Sequence, residues 1–286
     1  MTVVCVLLLQ IGCAGSVEQN AKAQNSVKPE SAINNQSLLQ NSPNVRRNTS
    51  KVVHVVVALC DNEFQGIVPV PARIGNGDDP ANNLYWGAAY GVKSFFRKQS
   101  AWELVAEVKN PKANVLERVV FKHKTKDVYL IADAYRGREI KQSTIDFLRF
   151  AAGTETEEIK FDDKTKQITI NIGGSADLVA YIGHDGLMDF SLSEYPSKAD
   201  ERVREAIILA CVSKSYFSNS LRKTGAHPLL WTTGLMAPEA YTLAAALDGW
   251  TTGETDERIR ERAAEAYHKY QKCGLKAAAN LLVSGW

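Results

Sequence analysis

An α/β fold, with a mostly parallel sheet flanked by helices on both faces, is what this sequence predicts. Three observations carry that expectation. Short apolar runs recur without polar alternation, at Val52–Cys60, Asp127–Ala132, Leu178–Gly183 and Ala206–Ala210, as expected of strands buried on both faces. Segments of helical period separate several of them, which is the pattern of a layered α/β domain. The chain has 286 residues, 45% of them hydrophobic, enough for a sizeable core.

In chain order, residues 1–16 read as a leader. Val3 to Ile11 is apolar but too short for a membrane span, which needs about 20 residues. It runs into Gly12-Cys13-Ala14-Gly15-Ser16, the small-residue cluster of an export signal. The Gly12-Cys13 junction is similar to that of bacterial lipoproteins, which implies lipidation of Cys13. Gln10 stands where that motif has Leu, and no basic residue precedes the apolar run. Residues 17–50 are rich in Asn, Gln and Ser without apolar period, and read as a disordered tether. The expected location is therefore exported: periplasmic, anchored at the outer membrane through Cys13, or secreted.

The folded domain spans residues 51–286 and opens with the strand at 52–60, ended by Asp61-Asn62. A long loop, Gly66 to Asn83, follows with Pro69, Pro71 and Pro80 plus Gly75 and Gly77; loops of this length are commonly functional. Leu84 to Phe96 reads as a helix capped by Asn82 or Asn83. Trp102–Ala106 and Val115–Lys122 read as strands or a short insertion. The strand at 127–132 ends in Asp133, and Thr144–Ala152 is a helix stopped by Gly153. Glu158–Phe161 and Gln167–Ile170 form a hairpin about Asp162-Asp163-Lys164. After the strand at 178–183, Ala199–Ala206 is a helix or a short connection to the strand at 206–210. Helices at 214–223 and 238–247 flank a strand at 228–233, and 255–283 has helical spacing. Pro238 suits a first helical turn.

Charge excludes some functions. With 34 basic against 32 acidic residues and no long basic run, nucleic acid is not an expected partner. The mature part has three cysteines, Cys60, Cys211 and Cys273, without CxxC spacing. No zinc site or disulfide scaffold is expected, although a Cys60–Cys273 bridge would leave Cys211 free. Asn76-Gly77-Asp78-Asp79 offers oxygen donors but lacks the spacing of an EF-hand loop. No metal or cofactor is expected.

The chemistry concentrates where two apolar runs end in reactive side chains. Leu178–Gly183 runs into His184, and Ala206–Ala210 runs into Cys211. Ligands bind at the C-terminal ends of strands in parallel sheets, so these ends would bring an imidazole and a thiol to one rim. A thiol nucleophile needs a base and then an acid for the leaving amine, and one imidazole serves both roles. Gly183 and Gly186 flank His184 and allow close backbone approach. Backbone N–H groups near Gly186 would form an oxyanion hole. His54, His123, His227 and His268 lack such a setting and are read as structural.

This arrangement resembles the caspase-like cysteine peptidases, the group of caspases, legumains, gingipains and separases. The resemblance rests on an apolar strand followed by His184 and Gly186, then an apolar strand followed by Ala210-Cys211, and covers roughly residues 51 to 250. Asp185 departs from the pattern, because the family has His-Gly directly. The resemblance implies a caspase-like α/β/α sandwich and an endopeptidase acting on a polypeptide substrate, with Cys211 as nucleophile and His184 as acid and base. Asp61 and Asp133, each read as ending a strand, would line an acidic pocket suited to a basic side chain. The alternative is a non-catalytic, surface-tethered α/β module that binds a ligand or partner protein, with the aromatic stretch Leu84-Tyr85-Trp86 and Tyr90 at its site.

Overall fold

Strand β1 (Lys51–Ala58) shows why the sheet is buried on both faces. Seven of its eight residues are buried, so its side chains enter two separate apolar layers at once. The computed structural model describes residues 49–164 and 166–286. The leader with Cys5 and Cys13, and all but the last two residues of the tether, lie outside the described residues.

The remaining strands are β2 (Trp102–Lys112), β3 (Val115–His123), β4 (Val128–Tyr135), β5 (Thr156–Asp163), β6 (Lys166–Gly173), β7 (Leu178–Ile182), β8 (Glu205–Leu209), β9 (His227–Thr232) and β10 (Leu282–Val283). The helices are α1 (Val92–Arg97), α2 (Ile140–Ala152), α3 (Ser213–Thr224), α4 (Ala240–Thr252), α5 (Asp256–Gln271) and α6 (Leu275–Leu281). Eight strands form one mixed, mostly parallel sheet in the order β10-β9-β8-β7-β1-β4-β3-β2, and β5 and β6 pair separately as a hairpin. Strands β4, β1, β7, β8 and β9 are mutually parallel. The antiparallel members β2, β3 and β10 lie towards the edges.

Both faces are covered. Val53, Val55 and Val57 of β1 pack with Phe96 and with Leu243, Leu247 and Ala263 of α4 and α5. Val52, Val56 and Ala58 pack with Phe147 and Leu148 of α2, Phe217 and Leu221 of α3, and Ile170 of the hairpin. The chain is thus an α/β sandwich. The sequence expectation holds for the fold class and fails in several details.

The expected helix at 84–96 is only α1, from Val92 onward. Residues 84–91 form turns so tight that a Cβ on Gly91 would meet the Trp86 carbonyl at 2.5 Å. Trp102–Ala106 and Val115–Lys122 are strands rather than an insertion, but the first extends to Lys112 and pairs with the second as a long antiparallel hairpin at the sheet edge. The stretch from Ala199 to Arg204 forms no helix. The Cys60–Cys273 bridge does not form: both thiols are free, one buried and the other exposed.

Strand β4 also continues past Asp133 to Tyr135. Asp133 is therefore inside the strand, directly opposite Arg118 of β3. The Arg118 guanidinium grips it with two bonds of 2.6 and 2.7 Å and reaches Glu157 of the hairpin at 2.7 Å. His54 accepts from the Gly173 N–H at Nδ1 (3.1 Å), so Nε2 donates to Asp133 (3.2 Å). Burial works to raise the Asp133 carboxyl, but the Arg118 and His54 bonds outweigh it and hold the group well below the ordinary carboxylate range. This cluster, buried except at Glu157, fastens the hairpin to the sheet. Asp133 therefore has no free face for a substrate, which corrects its assignment to a pocket.

Candidate active site at the C-terminal rim

Strand β1 lies between β4 and β7, so the chain turns one way from β1 to β4 and the other way from β7 to β9. In an open α/β sheet such a reversal opens a crevice beyond the C-terminal strand ends. His184 and Cys211 follow β7 and β8 at that rim. The last register pair is Ile182 with Leu209, and the Gly183 N–H extends the ladder to the Leu209 carbonyl at 3.3 Å. The two reactive residues therefore leave adjacent strands at equivalent positions.

Each departs through an unusual backbone. Gly183, before His184, has φ +148°, and a Cβ there would meet the Ala58 carbonyl oxygen at 2.7 Å. Glycine is required at that position. Val212, after Cys211, is left-handed at φ 51° and ψ 27°, a genuine outlier for a β-branched residue. Its N–H is held by the Gly234 carbonyl at 2.9 Å. The Ser213 hydroxyl that opens α3 bonds the Ile208 carbonyl and Thr232 Oγ1.

His184 is 7% exposed. Its Nε2 pairs with Asp189 Oδ2 at 2.7 Å, and the same oxygen accepts from the Gly66 N–H at 3.0 Å. Among the described residues Nδ1 takes part in no hydrogen bond. Gly186 is buried and opens a single 3-10 turn, Gly186–Met188, in which Asp185 Oδ1 accepts from the Leu187 N–H at 3.0 Å. Asp185 Oδ2 is buried without a partner. Burial pushes this carboxyl up to about 7; the Leu187 N–H opposes the shift, and the Asp189 charge adds to it.

The half-buried Cys211 Sγ lies between the N–H of Met236 (3.4 Å) and its carbonyl oxygen (3.6 Å). Burial pushes its thiol up, the Met236 N–H opposes this, and the Asp185 charge adds to it. Neither Cys211 nor His184 is a hydrogen-bond partner of the other. A thiol and an imidazole oriented by a carboxylate thus follow two adjacent strands of the sheet. Tyr85, from the loop after β1, is buried within electrostatic reach of the Cys60 and Cys211 thiols. Burial pushes Cys60 up to about 11, with Tyr85 lowering and Asp61 raising it.

Asp61 does follow the end of β1. Its Oδ1 is occupied by the N–H groups of Glu63 (2.9 Å) and Phe64 (3.3 Å), and the side chain packs on Gly77 and Gly137. Asp78 is bound by Arg136 and Arg138. Each of the other four histidines has a local partner at a ring nitrogen: Asp133 and Gly173 for His54, Thr125 and Lys126 for His123, Asp256 for His227, and Gly274 for His268. Asp189, Gly66 and Met236 were not legible as site residues. Their sequence signal is limited to an acid five residues after a His-Asp-Gly turn.

Among the described residues no helix is long and apolar enough to cross a membrane. Compared with protein-family models, curated proteins and solved structures, the chain matches none.

Proposed function

We propose that the protein is a cysteine endopeptidase of caspase-like type, with Cys211 as nucleophile and His184 as acid and base. The observation that carries this is the delivery of a thiol and an oriented imidazole to one rim, through two constrained backbone positions. Strain of that kind concentrates at functional sites. Cys211 sulfur attacks the scissile carbonyl carbon while its proton passes to His184 Nδ1. Asp189 holds the resulting imidazolium at Nε2. The carbonyl oxygen takes the displaced electron pair as an oxyanion, with the Gly186 N–H as the proposed donor. The C–N bond then breaks, His184 protonates the leaving amine, and water, deprotonated by His184, cleaves the thioester to a carboxylic acid and free thiol. The two groups lack a direct bond at rest, so His184 serves across the scissile bond rather than in a preformed ion pair.

The leader carries the accompanying proposal of export from a bacterial cell, with lipidation at Cys13. A second reading, a non-catalytic ligand-binding module, is favoured by the half-buried Cys211 thiol, which burial pushes up. One experiment separates the readings. The full chain is treated at neutral pH with a peptidyl acyloxymethyl ketone and mapped by mass spectrometry. The peptidase reading expects the adduct at Cys211, formed at least about 100-fold more slowly in His184→Ala. A folded protein whose Cys211 stays unmodified, or reacts equally fast in His184→Ala, supports the binding module instead.

A further inference from the structure

Large apolar side chains collect on the rim that holds His184 and Cys211. Ten are exposed among the described residues, and five of them belong to the segments that touch this pair: Phe64, Val68, Met188, Tyr216 and Leu235, at 39% to 81% exposure. Hydrogen bonds and chain neighbours tie each to the site. Leu235 precedes Met236, whose N–H and carbonyl hold the Cys211 sulfur. Met188 precedes Asp189, which pairs with His184. Phe64 and Val68 each lie two residues from Gly66, whose N–H is bound to Asp189. Tyr216 is in the first turn of α3, its N–H on the Val212 carbonyl at 3.4 Å. Two residues of chain reach at most about 7 Å, so Phe64, Val68, Met188 and Leu235 stay close to the anchored atoms.

The acidic groups of this rim are differently placed. Asp61 is spent on its own turn, Asp78 on two arginines, and Asp189 on His184 and Gly66. Asp185 is fully buried. Glu63 is the exposed acid next to Phe64. Apart from the exposed Glu63, these carboxylates are buried or already accept from N–H groups and arginines, so a cationic side chain finds few open oxygens, whereas an apolar one removes exposed hydrocarbon from water on both partners.

Resting on the peptidase reading, we infer that the site takes polypeptides carrying a large apolar residue on the carbonyl side of the scissile bond, rather than a basic or acidic one. The occupant is an extended segment of another protein, with that side chain against Leu235, beside the segment that holds the Cys211 sulfur. The test is a panel of peptidyl acyloxymethyl ketones identical except for Leu, Phe, Arg or Asp at that position. Rates of Cys211 modification are measured on the full chain. The Leu and Phe probes are expected to react about tenfold or more faster than the others, the discrimination one apolar pocket supplies. Leu235→Asp is expected to bring the Leu-to-Arg ratio towards one; a ratio within one protein does not depend on the fraction folded. Preference for Arg, which would implicate Glu63, preference for Asp, or equal rates overturns the apolar assignment and leaves the peptidase standing. No modification by any probe overturns both.

Discussion

Asp185 shows how one side chain makes this rim sensitive to pH. One of its oxygens is satisfied by Leu187 and the other is buried alone. Burial pushes the carboxyl up from 3.8 to about 7. A buried acid with a raised value binds its proton more tightly in the native than in the unfolded chain. Its effect on stability is therefore neutral below about pH 4, becomes steadily unfavourable as pH rises to about 7, and is constant above that. The full loss is about 4 kcal/mol at most. Asp185→Asn keeps the acceptor for Leu187 and removes the titration. Urea midpoints of the wild type are expected to fall across pH 4–7 more steeply than those of Asp185→Asn; parallel slopes would show that Asp185 ionises normally in the folded chain.

At the scale of elements, strain is placed where strands hand over to turns. A left-handed Val212 costs roughly 1–2 kcal/mol relative to ordinary backbone and is held by Gly234. Val212→Gly is expected to stabilise the fold by about 1 kcal/mol in urea unfolding, because Val212 is the N-cap of α3, a position where glycine is well tolerated and the left-handed backbone suits it. A loss of 1 kcal/mol or more would mean that the side chain matters more than the strain. The same scale explains what was legible beforehand. Strands β1, β7 and β8 were readable because burial on both faces leaves no alternation of polar residues, His54 being the single polar residue within the apolar run of β1. The true end of β4 was hidden because Asp133 looks like a stop. Its neutralising partner Arg118 lies on another strand, and such cross-strand pairing leaves no mark along a single segment. The extent of β2 was hidden because that edge strand is largely exposed and lacks a clean alternation. His184 and Cys211 were readable as strand-end residues. The carboxylate behind His184 was not, because a 3-10 turn rather than a regular spacing brings Asp189 back to it.

At the scale of the whole molecule, one sheet separates two apolar layers. Phe147 of α2 belongs to one and Leu247 of α4 to the other, both fully buried. Truncation to Ala is expected to cost about 3–5 kcal/mol at Phe147 and about 2–5 kcal/mol at Leu247. With the sheet between them and no shared contact, the losses should add within about 0.5 kcal/mol in the double variant. A single denaturation transition for each variant would show that both layers unfold together; two separated transitions would show that they do not. The parallel central strands also give the molecule a front and a back. Chain enters β1 at Lys51, in the middle of the edge opposite His184 and Cys211. A support coupled directly at Lys51 would thus attach at the edge opposite the proposed catalytic rim, leaving that rim facing away from it toward macromolecules in solution.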